Sequence, residues 1–256
     1  MKNLYRIPVL AVVLALCGCT TTQPTPTATP VIDPTDDTAV TTSEDAMKFK
    51  EEYEALNNTT REGTDNVYHA IEIPETNPIK YLTVSEAIDV IQNQSGIFYV
   101  GAPWCPWCRN AVPVLLEIAN NRGVDTIYYL ELDDVKSLYE VQDGELVQTR
   151  EGTEGYYTLL NLLGDKLREY TLTDDDGNEY DAGETRIYMP YVFAFDNGEV
   201  LADHTGTVDL DDDQTSYDPM TQTQIEDLMV VYEGLFDLVD SGESSSTGCD
   251  VLEECN

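Results

Sequence analysis

Ile97-Phe98-Tyr99-Val100 runs through Gly101-Ala102-Pro103 into Trp104-Cys105-Pro106-Trp107-Cys108 and then into a helical-looking segment at 110–119. The short apolar run reads as a buried strand, and the residues after Cys105 as a helix. A strand that delivers two cysteines, separated by two residues, to the start of a helix is suited to thiol chemistry. Free N–H groups and the positive end of the helix dipole favour a thiolate there. Pro106 fits the first helical position, where its missing N–H costs nothing. By position, Cys105 is the nucleophile at the helix N-cap and Cys108, one turn in and more buried, is the resolving thiol. Trp107 is expected to stand over the sulfurs, and Arg109 to add positive charge close to the thiolate.

Further markers follow downstream. Pro113 lies five residues after Cys108, and Tyr188-Met189-Pro190-Tyr191-Val192-Phe193-Ala194-Phe195 reads as a strand entered through a proline. Asn197-Gly198 then forms a hairpin signal between two apolar runs, because a type I′ turn needs positive φ at both positions. Gly206 stands sixteen residues after Pro190. Trp-Cys-x-x-Cys after a buried strand, with these markers in this order, resembles the thioredoxin superfamily over about residues 78–240. The resemblance implies a thioredoxin-like three-layer α/β/α fold with a mixed central sheet. It further implies a cis Met189-Pro190 bond facing the sulfurs beside Trp104, with Met189, Pro190 and Gly206 presenting backbone to an extended protein substrate. One position departs from that family's pattern. Thioredoxins carry a buried aspartate six residues before the first cysteine, where this chain has Tyr99, a poor proton acceptor near neutral pH. Glu131 is another acid that the sequence offers for the task.

The amino-terminal end reads as an export signal: Lys2 and Arg6, an apolar core at 7–16, then Cys17-Gly18-Cys19. The core is short for a membrane span, so residues 1–18 read as a cleaved signal. Residues 16–19 resemble a bacterial lipobox, which would make Cys19 the lipid-bearing mature terminus; an ordinary secretory signal cut nearby is the alternative. Residues 19–45, rich in threonine, proline and acidic groups, cannot bury enough apolar surface to offset ordering entropy and read as an extended tether or glycosylated stalk. The implied location is extracytoplasmic, anchored by lipid to a bacterial cell membrane.

Without Lys2 and Arg6 the chain keeps 11 basic against 49 acidic residues, a formal charge of −38. Nucleic acid and anionic bilayer surfaces are therefore excluded as partners by repulsion. The expected partners are protein thiols and disulfides, together with a recycling redox partner. No cofactor is implied. Asp174-x-Asp176-x-Asn178 opens like a calcium loop, but Glu179 and Thr185 stand where the loop needs glycine and an acid. Zinc would need Cys249, Cys255, His69 or His204 to complete a ligand set, and none lies at a recognised spacing.

About 190 residues remain after signal and tether, enough for one domain at 46–240. The pattern predicts a first helix at 47–56, a strand at 79–82, and a helix that starts at Thr83 with a Thr83/Glu86 capping box and ends at Gly96. After the strand at 97–100 come the active-site helix from Cys105 to about residue 121, closing at Gly123, and a strand at 126–132. Cys108 and Pro190 are about twice as far apart as in a minimal thioredoxin, so an insertion is expected at about 135–185. It reads as a helix at 156–167 and a hairpin at 170–182 around Asp176-Gly177-Asn178, either roofing the active-site cleft or decorating the surface. The Tyr-rich helix and acidic hairpin loosely resemble the thioredoxin-like bacteriocin transport accessory proteins. A last helix is predicted at 221–239, followed by a flexible tail at 241–256 holding Cys249 and Cys255, read as a second disulfide. The function that emerges is a thiol–disulfide oxidoreductase. A non-catalytic accessory or binding module of a secretion or bacteriocin-export system, retaining its disulfide, is the alternative.

Overall fold

The computed structural model describes residues 42–174 and 176–240. The expected signal, Cys19, most of the tether, and the Cys249/Cys255 tail lie outside the described residues. Ser43 accepts a hydrogen bond from the Ala46 N–H and starts α1, Glu44–Glu54, which turns Ala46, Phe49 and Tyr53 inward. This helix begins slightly ahead of the residues predicted for it. β1 (Ile79–Tyr81) and α2 (Val84–Asn93) follow, with both halves of the Thr83/Glu86 capping box formed. Gly96 does not end α2. It lies inside β2, Ser95–Val100, at φ 152°, where a Cβ would meet the Tyr128 ring at 3.2 Å.

α3 spans Pro106–Arg122, with Cys105 as its N-cap, Pro113 in its interior and Gly123 closing it at φ 65°. β3 is Ile127–Leu130. The insertion adds two hairpins. β4 (Leu138–Gln142) and β5 (Glu145–Arg150) form the first, and β6 (Arg168–Thr173) and β7 (Glu179–Arg186) the second. Between them lies α4, Glu154–Leu163, shorter than predicted because Gly164 leaves the helical region at φ 54° and a single 3-10 turn follows. The sequence reading missed β4 and β5, although Asp143-Gly144 with φ 53° and 79° carries the same turn signal as Asn197-Gly198. In the second hairpin Asp174 accepts from the N–H groups of Asp176 and Asn178, the Asn178 side chain and the Tyr180 hydroxyl, so its carboxylate closes the turn.

β8 (Tyr191–Asp196), β9 (Glu199–Thr205) and α5 (Gln222–Asp240) complete the chain. The central sheet has the order β1-β3-β2-β8-β9, with the first three strands parallel and β8 and β9 antiparallel. Strand alternation divides its side chains between two cores. Ile97, Tyr99, Ile127, Tyr129, Val192 and Ala194 face α1, α3 and α5. Phe98, Val100, Tyr128, Leu130, Tyr191, Phe193 and Phe195 face α2 and α4. Leu159, Leu160 and Leu163 of α4 are buried in this second core, so this part of the insertion is structural core and not a surface decoration. Each such side chain contributes about 1.5–3 kcal/mol by leaving water. The architecture is thus a three-layer α/β/α domain on a mixed sheet.

Candidate active site

β2 ends at Val100, and the chain turns through 101–104 to set Cys105 at the N-terminus of α3. There the Cys105 sulfur accepts the Cys108 N–H at 3.4 Å. A hydrogen bond from the Cys108 thiol, opposed by burial and helped by the Cys108 and Trp107 N–H groups and by the Lys136 charge, holds the Cys105 thiol below its ordinary pKa. Cys105 itself is 5 % exposed. Trp107 is on the outside at 37 % exposure, directly after Pro106 in the first turn.

Cys108 is fully buried, and burial pushes its thiol well up. The hydrogen bond and charge of Cys105 raise it further, while a hydrogen bond from the Tyr99 hydroxyl and one from the Ala102 N–H pull it down. Four phenols, Tyr53 of α1, Tyr99 of β2, Tyr129 of β3 and Tyr232 of α5, sense the Cys108 charge. Glu131 instead acts on Tyr81 and Tyr129, and its own carboxyl is raised by burial and by Asp133 and Glu52.

Cys105 Sγ donates to the Met189 carbonyl at 3.7 Å, and the Met189-Pro190 bond is cis. The Gly206 N–H donates to the Pro190 carbonyl at 2.8 Å, with Gly206 at φ 88°. Residues separated by about a hundred positions in sequence therefore meet at one end of the sheet, as the family resemblance implied. His204 packs its ring edge-on against Tyr232, centroids 5.9 Å apart, and its Nε2 lies 3.1 Å from the Thr207 carbonyl. His69 lies 3.3 Å through Nδ1 from the Tyr217 carbonyl, and burial lowers its pKa.

Arg109 departs from its expected place. Its guanidinium is fully buried and donates to the carbonyls of Tyr53 at 2.6 Å and His69 at 3.0 Å and to the Asn57 side-chain oxygen, beneath the Tyr68 ring at 5.5 Å. It fastens α1 and the following loop to α3 and is absent from the charges that act most on Cys105. The cation near the sulfur is Lys136, 6 % exposed, from the start of the insertion. Its Nζ donates to Asp133 Oδ1 at 2.6 Å and lies 5.1 Å from the Trp104 ring centre, while Trp104 Nε1 donates to Asp133 Oδ2. Arg61, which donates to the Tyr217 hydroxyl at 2.8 Å, also senses Cys105.

This architecture is consistent with a thioredoxin-like fold. No family model and no curated protein matches the chain. Among solved structures it is similar to thioredoxin O2 from Arabidopsis thaliana in its oxidised state, at 19 % identity and a TM-score of 0.33, covering 62 % of this chain and 96 % of that one. The fold description rests on the layers and strand order above, and nothing in the comparisons supports the looser likeness to bacteriocin transport accessory proteins.

Asp133 and Lys136 are the site residues that the sequence reading missed. They sit a few positions after the strand at β3, as acid and base three apart, which on sequence is indistinguishable from an ordinary surface ion pair. Only the fold brings them against Trp104.

Proposed function

We propose that this protein is a thiol–disulfide oxidoreductase that acts on protein disulfides. The observation that carries the reading is Cys105 at the N-cap of α3, its thiolate favoured, with its sulfur against the cis Met189-Pro190 peptide and a second thiol one turn away. The Cys105 thiolate attacks one sulfur of a client disulfide, forming a Cys105–client disulfide while the other client sulfur leaves and takes a proton. Cys108 then attacks the Cys105 sulfur. The Cys105–Cys108 disulfide forms, and the proton lost by Cys108 goes to the released client thiolate. Backbone at Met189 and Pro190, braced by Gly206, offers an extended client segment hydrogen-bonding groups beside the sulfur.

The same reading places the enzyme outside the cytoplasm, held to a bacterial membrane by lipid on Cys19, with a redox partner that recycles the pair; the signal and tether composition support it. The rival reading, a non-catalytic accessory or binding module, draws on the burial of Cys105. Insulin reduction and refolding of a reduced, disulfide-containing protein separate the two. Activity in the parent that is lost in Cys105→Ala is expected for the enzyme, and an inactive parent would establish the module instead.

A further inference from the structure

Trp104, the residue before Cys105, is held at its carbonyl and at its indole by segments far from it in sequence. The Tyr68 hydroxyl, from the loop after α1, donates to the Trp104 carbonyl at 3.0 Å. The indole Nε1–H donates to Asp133 Oδ2, and the other oxygen of that carboxylate accepts from Lys136 Nζ at 2.6 Å. The ammonium lies 5.1 Å from the indole ring centre, on a buried lysine. Indole, carboxylate and ammonium therefore form one unit, and where the loop at 132–136 goes the indole goes with it.

That loop is held in turn by the insertion. The N–H groups of Val135 and Lys136 both donate to the Leu132 carbonyl, at 3.1 and 3.0 Å, which closes the turn. The Asp133 and Lys136 carbonyls accept from Arg150, Nη2 donating to the first and Nε to the second at 3.0 Å, and the Val135 carbonyl accepts the Thr153 N–H at 2.9 Å. Two features of the chain aim Arg150 there. Leu138 pairs with Arg150 and Tyr139 with Gln148, so Thr149 is an extra residue in β5, and a bulge of this kind re-aims the side chain beside it. Gly152 lets the following segment pass close, since a Cβ there would fall 2.8 Å from the Tyr156 ring and 3.2 Å from the Ser137 nitrogen.

We propose that Arg150 is a positioning residue for Cys105, acting through the 133–136 loop to fix the Trp104 indole and the Lys136 ammonium beside the nucleophile. This inference rests on the oxidoreductase reading. Arg150 bonds the backbone on which the acid and the cation stand, and a planar fork that reaches two carbonyls at once stops that backbone from pivoting. Cys105 is nearly closed off from solvent, so the placement of the side chain next to it sets what reaches the sulfur. The Lys136 charge, one of those that favour the thiolate, is kept in place by the same clamp. The first hairpin of the insertion thus works as a splint for the active-site turn.

The test uses chains in which Cys17, Cys19, Cys249 and Cys255 are serine, purified in detergent. Labelling of Cys105 by iodoacetamide, followed by mass spectrometry across a range of pH, gives a plateau rate that reads access to the sulfur and a midpoint that reads its ionisation. A second set also carries Trp107→Phe, which leaves Trp104 as the one tryptophan and lets fluorescence read the indole directly. In Arg150→Met the midpoint should move upward, slowing labelling below it about threefold as the Lys136 charge leaves the sulfur. The plateau rate should rise, and Trp104 emission should shift to longer wavelength with stronger quenching by acrylamide. Arg150→Lys should restore part of each change, because one ammonium cannot reproduce the fork. Gly152→Ala keeps every charge and forces the 150–153 segment off the loop, so it should move both readouts in the same direction as Arg150→Met.

An arginine that serves stability alone would lower the urea midpoint and leave the labelling midpoint and the Trp104 signal at parent values; that result in Arg150→Met overturns the proposal. If Arg150→Met does not fold, Gly152→Ala decides: parent values there overturn it equally. The two readings fail separately. A parent that fails to reduce insulin while Arg150→Met moves the labelling midpoint refutes the proposed function and supports the role of Arg150. An active parent whose Arg150→Met variant keeps both readouts refutes the role of Arg150 alone.

Discussion

Arg109→Met tests whether the buried guanidinium serves the fold or the sulfur. Methionine keeps most of the aliphatic stem and removes every donor. The Tyr53 carbonyl at 2.6 Å and the His69 carbonyl at 3.0 Å lose their partner, as does the Asn57 oxygen, which still accepts from the Ile71 N–H at 3.0 Å. A buried acceptor left unpaired costs about 1–3 kcal/mol, so the two carbonyls together cost roughly 2–6 kcal/mol. Part of this is returned because the variant no longer desolvates a cation, the same burial that lowers the Arg109 pKa. A net loss of about 3 kcal/mol is expected, and at ~2–4 °C per kcal/mol for a domain of this size the melting temperature should fall by roughly 6–12 °C. Urea and thermal unfolding of the mature chain measure it, alongside the alkylation rate of Cys105. Arg109→Lys should recover only part of the loss, since one ammonium cannot reproduce the planar fork that reaches α1 and the loop together. Stability within about 1 kcal/mol of the parent, combined with a raised Cys105 pKa in Arg109→Met, would refute the reasoning and return the arginine to the sulfur.

The reactivity of Cys105 toward iodoacetamide should reach half its plateau at a pH below that of a free cysteine, because the thiolate is the reactive form and its hydrogen bonds extend ionisation to lower pH. Lys136→Met should move that midpoint upward, and an unmoved midpoint removes this lysine from the account. Leu159→Ala in α4 should destabilise the chain by about 2–5 kcal/mol in urea unfolding, whereas a surface decoration would lose almost nothing.

Local rules made most of the elements legible. The capping box at Thr83, the Asn-Gly turn and the αL glycine at 123 are each decided within a few residues, and they stand where the sequence put them. The convergence of Cys105, Cys108, Pro190 and Gly206 was legible only through the family resemblance that these residues carry. What escaped was set by long-range packing. Gly96 looked like a helix stop because glycine commonly is one, but its lack of a side chain makes room for Tyr128 from the adjacent strand. Arg109 stands next to Cys108 in sequence, yet its side chain leaves the sulfurs for α1, and no periodicity announces that. The charge it was expected to supply comes from Lys136, 27 positions after Arg109. The α4 leucines gave the helix but not its neighbour, since an amphipathic stripe says that a face is covered without saying by what.

The clamp at Arg109 also has a mechanical consequence. Tension applied upstream of α1 enters the domain through that helix, and the Tyr53 carbonyl hands it directly to the guanidinium, one residue beyond Cys108. The same helix is also tied to the sheet, because Asp45 in its first turn accepts the Tyr81 N–H of β1 at 3.1 Å, so a load on α1 divides between the sheet edge and the helix that carries the dithiol pair. A chain held at one end and tugged at the other would register that force in the chemistry of its sulfurs.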